Sequence, residues 1–258
     1  MIRAAVLILV AGPAAAQDAI SCILRPVHEI SVVPPVAGIL ESVAVDRGDR
    51  VEQGQVLARL VSRVEEAQLA AARSRAQSRA TVQAREAQLA DAERRLAQVR
   101  ALAKRGTAAQ NQLDEVTMEA EVARSLVTEA ADLRLAAEME VAAAAAAVDL
   151  RTIRAPVAGI VLTRAADPGE YAAADRPLLD LVTVDVLLAE VLMPASAYGQ
   201  ITLGQNAAVQ SEGAPAATGV VDAIDPVINA ASRSFGLRLR IDNADGGLTS
   251  GTRCTVRF

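Results

Sequence analysis

Two kinds of apolar spacing alternate along the chain. From Pro35 to Leu60 apolar and polar residues take turns, with Ile39, Val43 and Val45 first and then Val51 to Leu60, and Asp46-Arg47-Gly48-Asp49 and Glu52-Gln53-Gly54 interrupt the pattern. A period of two broken by turn residues predicts short strands. The same reading applies from Pro156 to Leu181, where Ile160-Val161-Leu162 leads through Asp167-Pro168-Gly169 to Pro177-Leu178-Leu179. Between these stretches, residues 62–104 and 111–150 contain neither Pro nor Gly and are rich in Ala, Glu, Arg, Gln and Leu, a composition of strong helix formers. Gly106, the one glycine of the insert, follows Lys104-Arg105, where a helix is expected to end. A second helix is expected from near Gln110. Its apolar positions Leu113, Val116, Ala120, Ala123, Val127 and Ala130 step by three and four, as an antiparallel coiled coil requires. The first helix carries Val82, Leu89, Leu96 and Val99 on one face. At about 1.5 Å per residue the hairpin would be on the order of 60 Å long.

The two β stretches are copies. Pro35-Val36-Ala37-Gly38-Ile39 returns unchanged as Pro156-Val157-Ala158-Gly159-Ile160, and Asp46, Gly48, Leu57 and Leu60 return as Asp167, Gly169, Leu178 and Leu181, all offset by 121 residues. Neither copy is large enough to bury a core alone, so residues 34–61 and 152–182 are expected to pair as halves of one domain, with the hairpin 62–151 inserted between them. Gly38, Gly48, Gly54, Gly159 and Gly169 are expected to serve its turns. After Thr183 the spacing predicts strands at Val186–Met193, Ala207–Gln210, Gly219–Ile224, Phe235–Ile241 and Thr252–Phe258, with a short helix over Ala195–Ile201. Short strands so spaced suggest a small barrel at 183–258. The alternating segment Cys22–Val33 would add a strand, making 17–33 part of that barrel. The fold class is therefore α+β.

Composition narrows the chemistry. Hydrophobic residues make up 52% of the chain but aromatics only 2%, which suits thin helices and small β modules better than a deep ligand pocket. Residues 1–16, with Arg3, the apolar run Ala4–Ala11 and the small residues Ala14-Ala15-Ala16, read as a cleaved secretory signal peptide. The run is shorter than the ~20 residues that span a bilayer, although an uncleaved anchor is the other reading. In an oxidising compartment Cys22 and Cys254 are expected to pair, two separate buried thiols being the alternative. The net charge of −5, with arginines scattered among carboxylates, argues against a nucleic-acid partner. His28 is the single histidine and reads as an ordinary strand residue, so neither a histidine metal site nor a hydrolase triad has material to build on. There is no phosphate-cradling glycine loop, no catalytic constellation and no expected cofactor.

The paired halves resemble the lipoyl domain, a barrel-sandwich hybrid of two quasi-symmetric halves, whose carrier members hold a cofactor on a Lys between the halves. Here the hairpin occupies that turn, and the only Lys, Lys104, sits at its far end. A split lipoyl domain, a hairpin and a β-barrel behind a signal peptide are similar to the periplasmic adaptors of tripartite pumps, the membrane fusion proteins of HlyD type. Met193-Pro194, Leu203-Gly204-Gln205, the run Gly219 to Pro226, and Ile241-Asp242-Asn243 with Leu248 to Gly251 extend the resemblance through the barrel. It implies a non-enzymatic periplasmic protein, peripheral to the inner membrane, that joins an inner-membrane transporter of RND or ABC type to an outer-membrane TolC-like tunnel and assembles as a ring of six. The Arg, Leu and Ser found at many adaptor tips fall here on Gln98, Leu102 and Ala109, so only the Leu is kept. The tip residues implied to meet a partner are Leu102, Lys104, Arg105, Thr107 and Gln110. An exported coiled-coil scaffold or chaperone-like module without a transporter is the alternative.

Overall fold

The computed structural model describes residues 19–258, so the expected signal peptide lies outside the described residues. In chain order the strands are β1 (Ile20–Val32), β2 (Gly38–Val43), β3 (Arg50–Val51) and β4 (Val56–Leu60), followed by helices α1 (Arg63–Gln77), α2 (Ala80–Lys104) and α3 (Gln110–Asp149). Then come β5 (Thr152–Arg154), β6 (Gly159–Arg164), β7 (Tyr171–Ala172), β8 (Leu179–Pro194), β9 (Asn206–Ser211), β10 (Ala217–Ile224), β11 (Ser234–Asp242) and β12 (Arg253–Arg257).

The two copies fold by trading strands. In the first, β2 pairs with β7 of the second through Gly38↔Ala172 and Ile39↔Tyr171. The equivalent strand β6 pairs with β3 through Gly159↔Val51 and Ile160↔Arg50. Backbone bonds repeat across the same pseudo-twofold: Leu40 N–H donates to Glu170 O at 2.8 Å and Val161 N–H to Asp49 O at 2.9 Å, while Gly169 N–H reaches Leu40 O at 2.7 Å and Gly48 N–H reaches Val161 O at 2.9 Å. Each half's short edge is thus completed by the other, and the interior between them is filled by Leu40, Val51, Leu57, Leu60, Val161 and Leu181. The symmetry reaches further back than the shared pentapeptide. Arg59 faces Thr152 in β5, and its mate Asp180 faces Ser31 in β1, so Ser31-Val32 and Thr152-Ile153 are also equivalent.

Gly48, Gly54 and Gly169 have positive φ (92°, 82° and 92°), the backbone state their turns require. Gly38 and Gly159 do not, which corrects their reading as turn residues. They open strands where another group comes too close for a side chain. A Cβ on Gly159 would stand 2.5 Å from the Val182 carbonyl oxygen, and one on Gly38 would stand 2.8 Å from an Arg151 guanidinium nitrogen.

Two long strands run from this unit into the second. Between them β1 and β8 pair over most of their length, with a bulge at Pro26/His28, and the ladder β1-β12-β9-β10-β11-β8 closes back on β1 as a six-stranded barrel. Alternation does the work expected of it: along β11, Phe235, Leu237, Leu239 and Ile241 point inward and are buried, while Arg238 and Arg240 point out. His28 lies exposed on β1, opposite Thr183. Cys22 and Cys254 face each other in the β1–β12 register, are joined by a disulfide and are buried, so the first and last strands of the barrel are pinned covalently. Asn243, only 5% exposed, donates to Val184 O (2.9 Å) and Leu248 O (3.0 Å) and accepts from Leu248 N–H (2.8 Å), holding the loop before β12 against the strand end. The short helix expected over Ala195–Ile201 is a single 3₁₀ turn, Ala195–Ala197.

In the hairpin, Leu96 and Ala92 of α2 pack on Ala120 and Ala123 of α3, flanked by Leu89, Leu113 and Val116. Small residues at this seam let the two helices approach closely. The unbroken helix expected over 62–104 is interrupted, because Ser78 is extended (φ −68°, ψ 115°). Phase explains the break. At about 100° per residue, a continuous helix would put Leu69 and Ala72 on nearly the opposite side from Leu89, Ala92 and Leu96. Both stripes pack on α3. Two non-helical residues reset the rotation so that both can.

Replacing both cysteines by serine is expected to lower stability by about 2–4 kcal/mol, measured as a shift in the urea midpoint at constant slope. A second expectation concerns acid. Asp180 accepts hydrogen bonds from Ser31 Oγ (2.6 Å) and Thr163 Oγ1 (2.5 Å), and these hold its carboxyl below the usual carboxylate range. A carboxyl depressed in the folded state gives stability that is present above its unfolded pKa, near 3.9, and is lost as pH falls through its folded value. Asp180→Asn should therefore flatten the decline of Tm with falling pH below about 4.

Candidate docking site at the hairpin tip

The tip is built by helix termination. Lys104 is the last residue of α2, and Gly106 turns the chain with φ 76°. Gly106 N–H donates to Ala103 O at 2.9 Å and Thr107 N–H to Leu102 O at 3.1 Å, the paired bonds of a Schellman cap, so the last carbonyls of α2 are satisfied by backbone. Thr107 Oγ1 adds a third bond to the same Leu102 oxygen at 3.0 Å. On the other side of the turn, Gln110 Nε2 donates to Asp114 Oδ1 at 2.8 Å within the first turn of α3.

These bonds sort the five residues implied to meet a partner. All are exposed. Thr107 spends its hydroxyl donor on the end of α2 and acts first as a cap, while Gln110 is tied to Asp114 on its own helix. Leu102 is 44% exposed beside the two cations Lys104 and Arg105, which take part in no ion pair among the described residues. Gln98 and Ala109 are likewise exposed. The tip thus presents one apolar side chain and two free positive charges on a rigid cap.

Reach is useful only if the base is fixed, and a residue that the sequence did not single out fixes it. Arg151, just past α3, forms an ion pair with Glu65 in the first turn of α1 at 2.5 Å, with both side chains mostly buried (22% and 17% exposed). Its other guanidinium nitrogen reaches Ala37 O at 3.3 Å, across the space that Gly38 leaves open. Its carbonyl accepts from Leu60 N–H at 2.8 Å. One side chain therefore ties both arms of the hairpin to the lipoyl-like unit. The only sequence trace of this role was Gly38 itself, whose second copy, Gly159, makes room for backbone instead.

A groove of about 680 Å³ lies where that unit meets the barrel, with Leu24, Ile160, Val184 and Leu248 in its lining. Both arginines in its lining are already matched, Arg50 to Asp185 at 2.9 Å and Arg25 to Glu190 at 2.6 Å. Among the described residues there is no group of three or more His, Cys, Asp or Glu side chains placed to hold a metal ion, and no helix is long and apolar enough to cross a membrane.

Residues 189–258, most of the barrel, match the family described as the CusB-like β-barrel domain. Over 234 residues the chain is 27% identical to the nickel-cobalt-cadmium resistance protein NccB of Alcaligenes xylosoxydans xylosoxydans, covering 90% of this chain and 55% of NccB. It is 26% identical to the nodulation protein NolF of Rhizobium meliloti, covering 88% of this chain and 59% of NolF. The chain spans a little over half the length of these two relatives. Its fold is that of MacA from Actinobacillus actinomycetemcomitans, with a TM-score of 0.78 at 15% identity over 93% of this chain and 78% of MacA. The membrane fusion protein Spr0693 from Streptococcus pneumoniae R6 is also similar, with a TM-score of 0.56 at 18% identity over 93% of this chain and 98% of Spr0693.

Removing the basal ion pair by Glu65→Ala should cost about 1–3 kcal/mol, since it strands a half-buried guanidinium, and should raise amide exchange first in α1 and at the end of α3. Protection in both segments equal to that of the wild type would show that Arg151 does not hold the base.

Proposed function

We propose that this chain, with a CusB-like barrel and the architecture of the membrane fusion proteins, works as a non-enzymatic periplasmic adaptor between an inner-membrane transporter and an outer-membrane tunnel. The observation that carries the reading is the exchange of a lipoyl-type turn for a hairpin of about 60 Å, taking α3 at 1.5 Å per residue, with an unengaged apolar and cationic tip. Such a projection, clamped at its base by Arg151, suits force-bearing contact at a distance better than catalysis. In this reading the barrel and β1 contact the transporter, of RND or ABC type, the tip meets a TolC-like tunnel, and copies gather in a ring, with six as the expected number. In the same reading residues 1–16 direct export, and the protein works in the periplasm, peripheral to the inner membrane.

The test is affinity capture from cell envelopes with the tagged full chain. Wild type should retain both a polytopic transporter and an outer-membrane protein. Lys104→Glu/Arg105→Glu should keep the transporter and lose most of the outer-membrane partner, with stability changed by less than about 1 kcal/mol because both side chains are exposed. Capture of the outer-membrane protein at the wild-type level by the double variant would remove the tip from the mechanism. Absence of any transporter in the wild-type capture would overturn the adaptor reading.

A further inference from the structure

The groove of about 680 Å³ where the lipoyl-like unit meets the barrel is walled by both. One wall is a row of side chains set across neighbouring strands. Glu29 of β1 is opposite Val182 of β8, Val182 is opposite Ile160 of β6, and Ile160 is opposite Arg50 of β3. Directly opposed residues share a face of the sheet, and all four line the groove. Leu162, 41% exposed, widens the apolar strip next to Ile160. The other wall is the loop before β12, with Leu248 in its lining. That wall is fixed in place: Asn243 holds Leu248 by its backbone, and Gly251 N–H donates to Leu24 O at 2.7 Å.

The charges along the groove do not balance. Both carboxylate oxygens of Asp185 accept from Arg50 Nη1, at 2.9 and 3.0 Å, and Arg25 is held by Glu190 at 2.6 Å. Glu29 is exposed and takes part in no ion pair or side-chain hydrogen bond among the described residues. The groove therefore carries one unmatched negative charge. With strands about 4.8 Å apart, Val182 and Ile160 extend an apolar floor roughly 10 Å from Glu29 before the Arg50–Asp185 pair closes the far end. No aromatic ring lines the groove, so its apolar contacts are aliphatic.

We infer that this groove binds a small amphipathic cation, with an ammonium group at Glu29 and an aliphatic body lying over Val182, Ile160 and Leu162. Its volume falls within the range of about 300–1,000 Å³ typical of small-molecule clefts. A carboxylate-headed molecule of the same length would find both guanidinium groups engaged and Glu29 opposed to it. The inference goes beyond the adaptor reading and does not depend on it, since it concerns neither the hairpin tip nor a protein partner.

Isothermal titration of the purified full chain with decylammonium and with decanoate, each below its micelle concentration, tests this. Wild type should bind decylammonium saturably, about fivefold or more tightly than decanoate, and more weakly as salt is raised. Glu29→Gln should weaken decylammonium binding by about threefold or more and leave decanoate binding no weaker. Leu162→Lys, which sets a cation on the apolar floor, should abolish the decylammonium site. Both residues are exposed, and circular dichroism and Tm check that each variant is folded. Asp132→Asn, which removes an exposed carboxylate of α3, should bind as wild type does. Equal affinity for the two amphiphiles, no saturable binding, wild-type binding by Glu29→Gln, or an equal loss in Asp132→Asn would overturn the inference.

Discussion

Two pairs of very short strands, β2 with β7 and β3 with β6, join segments separated by more than a hundred residues, and the remaining architecture hangs on that exchange. Each half alone would leave strand edges unpaired and a sheet face in water, both costly in a unit of this size. Traded, they satisfy one another's backbone and enclose a shared interior of leucine and valine. The cost of bringing such distant segments together is moderated by what lies between them. Once the helices pair antiparallel, Leu60 and Arg151 are neighbours joined by a 2.8 Å bond, and the effective loop is short.

This arrangement also explains how a long lever can be carried by a small base. The arms enter and leave the lipoyl-like unit beside β2, where Val61 N–H donates to Ile39 O at 2.9 Å, and Arg151 joins α1, α3 and the loop before β2 there. A lever on a flexible linker would transmit position poorly. One whose root is bonded to both arms and to the β unit keeps its direction. β1 and β8 are continuous through both β modules, so the barrel and the lipoyl-like unit are joined by paired backbone. The Cys22–Cys254 bond closes the barrel where the chain's first and last strands would otherwise be joined by hydrogen bonds and packing alone.

Electrostatics is distributed with the same economy. On the outer face of the barrel Arg238 is matched by Asp222 at 2.7 Å, an exposed pair that contributes little to stability. The hairpin is different because its charge is segregated by arm. Part of that charge pairs across the seam of the same molecule, as Arg75 does with Glu140 at 3.1 Å and Arg124 with Glu93 at 2.8 Å.

Much was legible in the linear chain because it depends on local rules. Two helical arms were legible because residues 62–104 and 111–150 hold no Pro or Gly, and Lys104-Arg105-Gly106 marked the cap between them. The 121-residue repeat disclosed two halves of one domain, and alternation disclosed the barrel strands. What stayed hidden is what depends on the meeting of distant surfaces. The kink at Ser78 answers to the phase of α3, not to any breaker in its own segment. Gly38 and Gly159 looked like turn residues, and only the positions of Arg151 and Val182 show that they are there to leave room. The repeat's first residues, Ser31-Val32, went unseen because they lie at the end of a strand shared with the barrel, where their match to Thr152-Ile153 is one of role and not of identity. Sequence thus determined which elements exist and which copies correspond. Tertiary structure decided their phase, their shared strands and the single arginine at the root, because each of these is set by distance between residues far apart along the chain.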